Sequence, residues 1–154
     1  MKPTILIIPG AWQLPTVWDG FRGLLTKAQY PSVHVALPSV GGTTLPLTGL
    51  AEDVAAVRSH LSPIVEDGKD VVVVCHSSGG VVCSNAVEGF DKKTQRVEGK
   101  KGKKGGVVRI VYVSAFMLPQ GQSLLGMLGG QPLPWMVVEV NKIPFSVCHG
   151  LWRC

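Results

Sequence analysis

Short apolar runs alternate along the chain with stretches in which apolar residues recur at helical spacing, and this alternation sets the expected architecture. "TILII", residues 4–8, is rich in β-branched residues and is broken by Pro9 and Gly10, so it predicts a buried first strand. The loop "PGAWQLPT" follows, then a helix over residues 17–29 and a second strand over residues 32–37, "SVHVAL", closed by Pro38. Leu50, Val54, Val57, Leu61 and Ile64 fall on one face of a helix through "GLAEDVAAVRSHLSPI", which Pro63 is expected to end or bend near its last turn. Four consecutive valines at 71–74 predict a third strand buried on both faces, "VVCSNAVEGF" a short helix, and "VVRIVYVSAF", residues 107–116, a fourth strand. Beyond Leu118 the pattern fades, apart from one short helix near residues 123–128. Strands and helices in this order imply an α/β fold, a three-layer α/β/α arrangement around a mostly parallel sheet with right-handed crossovers.

The third strand stops abruptly on a polar turn, "VVVVCHSSGG" over residues 71–80. Strand, tight turn and helix are the elements of a nucleophile elbow, in which a serine is presented at the apex. Sterics choose between the two serines, because the residues two before and two after the apex must be small. For Ser77 those residues are Cys75 and Gly79; for Ser78 they are His76 and Gly80, and an imidazole would crowd the turn. Ser77 is therefore the expected nucleophile, with Cys75 standing where the usual G-x-S-x-G pattern has its first glycine. The reading to weigh against it is a core strand that ends in an ordinary serine-glycine turn.

A serine hydroxyl attacking a carbonyl needs donors for the oxyanion that forms. The Ser78 N–H, at the start of the next helix, is one candidate, and the loop after the first strand offers another in Ala11, where Gly10 lets the backbone come close. If the first strand lies between the second and third, "PGAW" and "CHSSGG" share one crevice at the point where the sheet reverses its winding.

Composition narrows the rest. The chain has 154 residues, 45% of them hydrophobic and 16% charged, which suits one packed domain. Residues 91–104, "DKKTQRVEGKKGKK", hold seven basic and two acidic residues and so account for the whole formal charge of +5. This basic segment, within 91–106, reads as a solvated surface loop, and no aromatic interleaves its lysines to stack on bases, so no nucleic-acid partner is expected. No apolar run approaches a membrane span and "MKPTILIIPG" is too short for a signal peptide, so a cytoplasmic protein without a membrane partner is expected. Cys75, Cys83, Cys148 and Cys154 read as reduced thiols, and the tail's cysteine and histidine spacing is not that of a zinc site. Neither phosphate-binding glycine motif follows any strand, and neither metal nor cofactor is expected.

With these motifs in order, the chain resembles the α/β-hydrolase fold superfamily, and within it the small serine esterases that include plant methylesterases, hydroxynitrile lyases and similar fungal proteins. The resemblance rests on "ILIIPGAW", "VVVVCHSSGG" and "IVYVSAFML" and covers about residues 3–120. It implies Ser77 as nucleophile, Ala11 and Ser78 as oxyanion donors, a carboxylic ester as substrate and no cofactor. Many relatives carry His-Gly where this chain has Pro9-Gly10.

The same resemblance implies a cap, further strands, an acid and a histidine downstream. Here Glu139 is the only carboxylate side chain after Ser114, and His149 the only histidine after the elbow. Their order matches an acid and a base, yet no convincing strand carries them, so impaired catalysis is expected. The expected organisation is a partial hydrolase domain over 1–139, with the start of a cap at 119–139, and a tail over 140–154 that departs from the family's continuation. That tail suggests a truncated or misread gene product. A fourth strand left at the sheet's edge would invite self-association through 107–116. Two alternatives accompany the esterase reading: an inactive fragment that acts as a binding protein, and cyanohydrin cleavage with the same serine.

The remaining histidines and aromatics have plainer expectations. His76 is expected to pack or hydrogen-bond beneath the turn, and His34 and His60 to be structural. Trp12, Trp18 and Met117 are candidates to line a pocket, with core packing the competing role.

Overall fold

The computed structural model of the chain describes residues 2–41, 47–92, 105–131 and 134. Strand β1 (Thr4–Ile8) is buried at every position, with Leu6, Ile7 and Ile8 fully inaccessible. A run this apolar can be satisfied only where both faces are covered, and each such side chain contributes roughly 1.5–3 kcal/mol on burial. A 3-10 turn (Pro15–Trp18) leads into α1 (Asp19–Lys27), followed by β2 (Ser32–His34), α2 (Leu50–Glu66), β3 (Asp70–His76), α3 (Gly79–Ala86), β4 (Gly106–Val113) and the single turn α4 (Leu124–Met127).

The four strands form one sheet in the order β2-β1-β3-β4, every pair parallel. β1 thus lies between β2 and β3, as the crevice argument requires, and the winding reverses between β1 and β3. One face of the sheet packs Leu6, Ile8, Val73 and Cys75 against Val57 and Leu61 of α2 and Val82 of α3. The opposite face packs Ile5, Ile7 and Val74 with Trp18 and with Leu25 of α1. The α/β/α layering expected from the sequence is present.

Several boundaries differ from those expected. β2 ends at His34 rather than residue 37 because only three positions pair with β1; one further bond, Val35 N–H to the Ile7 carbonyl at 3.0 Å, precedes the departure toward Pro38. The helix expected over 17–29 is divided between the 3-10 turn, with proline in its first positions, and α1, and Gln29 closes it at φ 60°. α2 runs past Pro63 to Glu66, since a proline in the last turn removes only one ladder bond. α3 starts at Gly79 and stops at Ala86, displaced toward the turn relative to the expected 81–90. β4 ends at Val113 rather than residue 116, because Ser114 takes φ 42° and turns the chain back over α3.

α2 is fastened at its start by side chains. The Gly49 N–H donates to Glu52 Oε2 at 2.7 Å, and this bond holds the exposed Glu52 carboxyl below the ordinary range. Asp53, fully buried, accepts from the Ser39 N–H at 2.9 Å and the Ser39 hydroxyl at 2.6 Å, tying the loop after β2 to the helix. Burial raises its pKa against the lowering effect of those bonds. No helix among the described residues is long and apolar enough to cross a membrane. The basic segment at 93–104 and the tail at 140–154 lie outside the described residues.

Candidate active site

β3 delivers Ser77 to the carboxyl edge of the sheet, next to the end of β1. Ser77 adopts φ 52°, the left-handed region that a serine enters at a cost of about 1–3 kcal/mol. The turn around it holds that conformation in place: the Ser77 carbonyl accepts from the Gly80 N–H at 3.1 Å and from the Phe116 N–H at 3.0 Å. α3 then begins two residues later.

Close backbone approach explains the glycines. A Cβ on Gly79 would stand 2.4 Å from the Pro9 carbonyl oxygen and 2.7 Å from that of Ile8. A Cβ on Gly10 would stand 2.8 Å from Ser77 Cβ, so only glycine lets the loop after β1 reach the serine. Cys75 is fully buried beneath the turn, with its thiol 3.6 Å from the Val111 carbonyl oxygen. A sulfur therefore fits where the common pattern has glycine. Cys83 shares that apolar pocket, and the neighbouring Cys75 thiol together with burial pushes its pKa upward. Both are free thiols.

The β1 loop is braced by a residue the sequence reading did not single out. Gln13 Oε1 accepts from the Gly10 N–H at 3.0 Å and lies 3.1 Å from His76 Nδ1. The His76 ring also meets Trp18 edge-on, with centroids 5.8 Å apart. His76 is thus held under the turn by packing and a hydrogen bond. Trp18 belongs to the α1-side core, whereas Trp12 and Met117 are 51% and 67% exposed. His34 lies 3.8 Å from Asp19, and His60 bonds the Ala56 carbonyl at 2.8 Å, both away from the elbow.

Ala11 and Ser78 meet, but not only through the backbone. The Ala11 N–H donates to the Ser78 hydroxyl oxygen at 2.7 Å. Nothing in the string "CHSSGG" distinguishes a second serine whose hydroxyl points at the β1 loop from one that points elsewhere. Glu139 and His149 lie outside the described residues.

A strained serine between a parallel strand and a helix, faced by a glycine-containing loop from the adjacent strand, is the geometry that presents a hydroxyl to a carbonyl beside backbone donors. A family model described as the alpha/beta hydrolase family matches residues 5–152. The chain belongs to the alpha/beta hydrolase family. It is 38% identical over 128 residues to alpha/beta hydrolase nvfD of Aspergillus novofumigatus, a match that covers 83% of this chain and 49% of that protein. It is 32% identical over 159 residues to "Probable hydrolase R7" of Phoma sp., covering 97% of this chain and 61% of that one. The chain therefore spans about half to three fifths of the length of these two hydrolases. Among solved folds, polyneuridine aldehyde esterase superposes with a TM-score of 0.61 at 18% identity, over 84% of this chain and 47% of the esterase. At that identity the likeness shows the alpha/beta hydrolase fold alone.

Proposed function

We propose that the chain carries the nucleophile half of a serine hydrolase that acts on carboxylic esters. The observation that carries this reading is Ser77 at φ 52° on the β3–α3 turn, within reach of the Gly10–Ala11 loop. Ser77 Oγ attacks the ester carbonyl, its proton passes to a base, and the alcohol leaves from the tetrahedral intermediate. Water then resolves the acyl-enzyme and regenerates the hydroxyl. The Ala11 and Ser78 N–H groups are the donors to the oxyanion, and the first turn of α3 adds its dipole. Glu139 and His149 follow the serine in the order of an acid and a base but lie outside the described residues, so the reading is of a hydrolase impaired in this chain unless they reach Ser77.

The test is labelling of the purified, folded protein with a fluorophosphonate. Stoichiometric modification that Ser77→Ala abolishes is the expected result. A folded protein left unlabelled would refute a competent nucleophile in this chain.

A second reading is favoured by β4. Its outer neighbours among the described residues are limited to a single bridge at Asp91 and Val107, and Val108, Val111 and Val113 are 46%, 38% and 41% exposed. Such an edge accepts another strand, so the second reading is an interaction protein that associates with a copy of itself through β4. Sedimentation across a concentration series separates the two readings: a monomer at every concentration removes this one.

A further inference from the structure

We propose that the Ser78 hydroxyl acts as an internal gate on the oxyanion hole, occupying the Ala11 amide until an acyl carbonyl displaces it. The inference rests on the reading of Ser77, Ala11 and Ser78 given above and concerns a group that reading does not use, the Ser78 side chain.

The Ala11 N–H has one hydrogen to give, and at 2.7 Å it gives it to Ser78 Oγ. That contact is at the short end for an amide donor, so the bond is well made. Ser78 is 5% exposed, so its hydroxyl is held in place, whereas Ala11 is half-buried and can be reached from outside. Its oxygen belongs to the same residue whose own N–H is the second candidate donor. An oxygen that meets Ala11 from that position stands in for the oxyanion itself. A substrate carbonyl must therefore turn the Ser78 side chain away before both amides are available. The Gly10 N–H offers no substitute, since Gln13 Oε1 already holds it at 3.0 Å.

The consequence is a hole that is satisfied at rest and slow to accept charge. Losing one neutral hydrogen bond changes an equilibrium by about five-fold, so a residue at 78 without a hydroxyl should make the hole more available by about that factor. Threonine, which keeps the hydroxyl, should leave it gated. If the hydroxyl instead turned its own hydrogen to the oxyanion as a third donor, its removal would slow the reaction.

The experiment follows the Ala11 amide directly and needs no turnover. Acetate is titrated into 15N-labelled wild-type protein, Ser78→Ala and Ser78→Thr, each first confirmed as folded by its amide spectrum, while the Ala11 cross-peak is monitored. A saturable shift in Ser78→Ala that is at least about five-fold weaker in wild type and in Ser78→Thr is the expected result. Equal responses in all three proteins, or none in Ser78→Ala, would overturn the gate. Fluorophosphonate labelling rates form the second arm, in which Ser77 Oγ bonds phosphorus, fluoride leaves and the proton goes to the base. Ser78→Ala should label about five-fold faster than wild type; a slower rate would make the hydroxyl a donor and overturn the proposal. Labelling that survives Ser77→Ala would remove the hydrolase reading, and an unlabelled wild type would remove a competent nucleophile. In either case the amide titration alone decides the gate.

Discussion

β3 and β4 are both valine-rich and lie side by side, yet one is sealed and the other open. Val71 and Val73 of β3 are fully buried, while Val111 and Val113 of β4 are 38% and 41% exposed. Position in the sheet makes the difference: β3 has β1 on one side and β4 on the other, and β4 has a described neighbour only along β3 and at the single Asp91 bridge. The sealed side is also where backbone meets backbone, at Gly79 against Pro9 and at Gly80, where a Cβ would lie 2.3 Å from the Phe116 carbonyl oxygen. The candidate site and the close packing coincide there, and a tightly held turn fixes the direction of the Ser77 side chain. Among the described residues, the open side shows apolar surface beyond its pairing with β3.

The strongest way to break this contrast is to add one carbon at the sealed turn. Gly79→Ala should destabilise the protein by about 3 kcal/mol or more, since its Cβ meets the rigid Ile8 and Pro9 carbonyls. Gly23→Ala on α1, where a Cβ meets nothing within 4 Å, should instead stabilise by about 0.5–1 kcal/mol. Urea denaturation of the two variants reads both signs, and equal effects would show that the turn relaxes.

Asp53 extends the sealed side into α2. Asp53→Ala should cost about 2–3 kcal/mol by leaving the Ser39 N–H and hydroxyl without their acceptor. The pH dependence has a definite sign. Burial raises this carboxyl in the folded state above its ordinary 3.8, so the folded chain holds the proton more tightly than the unfolded chain. Its contribution is then most favourable below 3.8 and declines as pH rises from there through the folded value. Asp53→Asn should flatten that part of the stability profile, as thermal melts between acidic and neutral pH would record.

Ser77→Gly should raise stability by about 1 kcal/mol, because glycine enters φ 52° without the serine's strain. The same change should abolish fluorophosphonate labelling, so the strain and the reactivity are separated in one variant by melting temperature and labelling. The smallest effect on stability belongs to the open side. Val111→Lys and Val113→Lys should change stability by less than about 0.5 kcal/mol while lowering any concentration-dependent association of β4. Sedimentation equilibrium measures the second, and a large loss of stability would show those valines to be covered.

Much of this was legible beforehand, for reasons that reside in particular residues. "TILII" and the four valines at 71–74 can only be interior strands, and Pro9, Gly10, Gly79 and Gly80 mark where the chain turns. Of the two serines in the turn, Ser77 alone takes positive φ. Element ends were less legible. Ser114 and Gln29 end their elements by entering left-handed backbone, which neither residue type announces. Gln13 and Asp53 read as ordinary polar residues because their partners, Gly10, His76 and Ser39, come from other turns of the chain.

Local pattern by itself determined the layering, the parallel sheet and the serine at the apex, since periodicity, small residues and turn residues act over a few positions. Only the tertiary structure decided what faces that serine. The Ser78 hydroxyl on the Ala11 amide joins positions 67 residues apart, and a bond of that kind depends on which strands become neighbours. The same holds for the exposure of β4, because identical side chains are buried or open according to what packs over their face of the sheet.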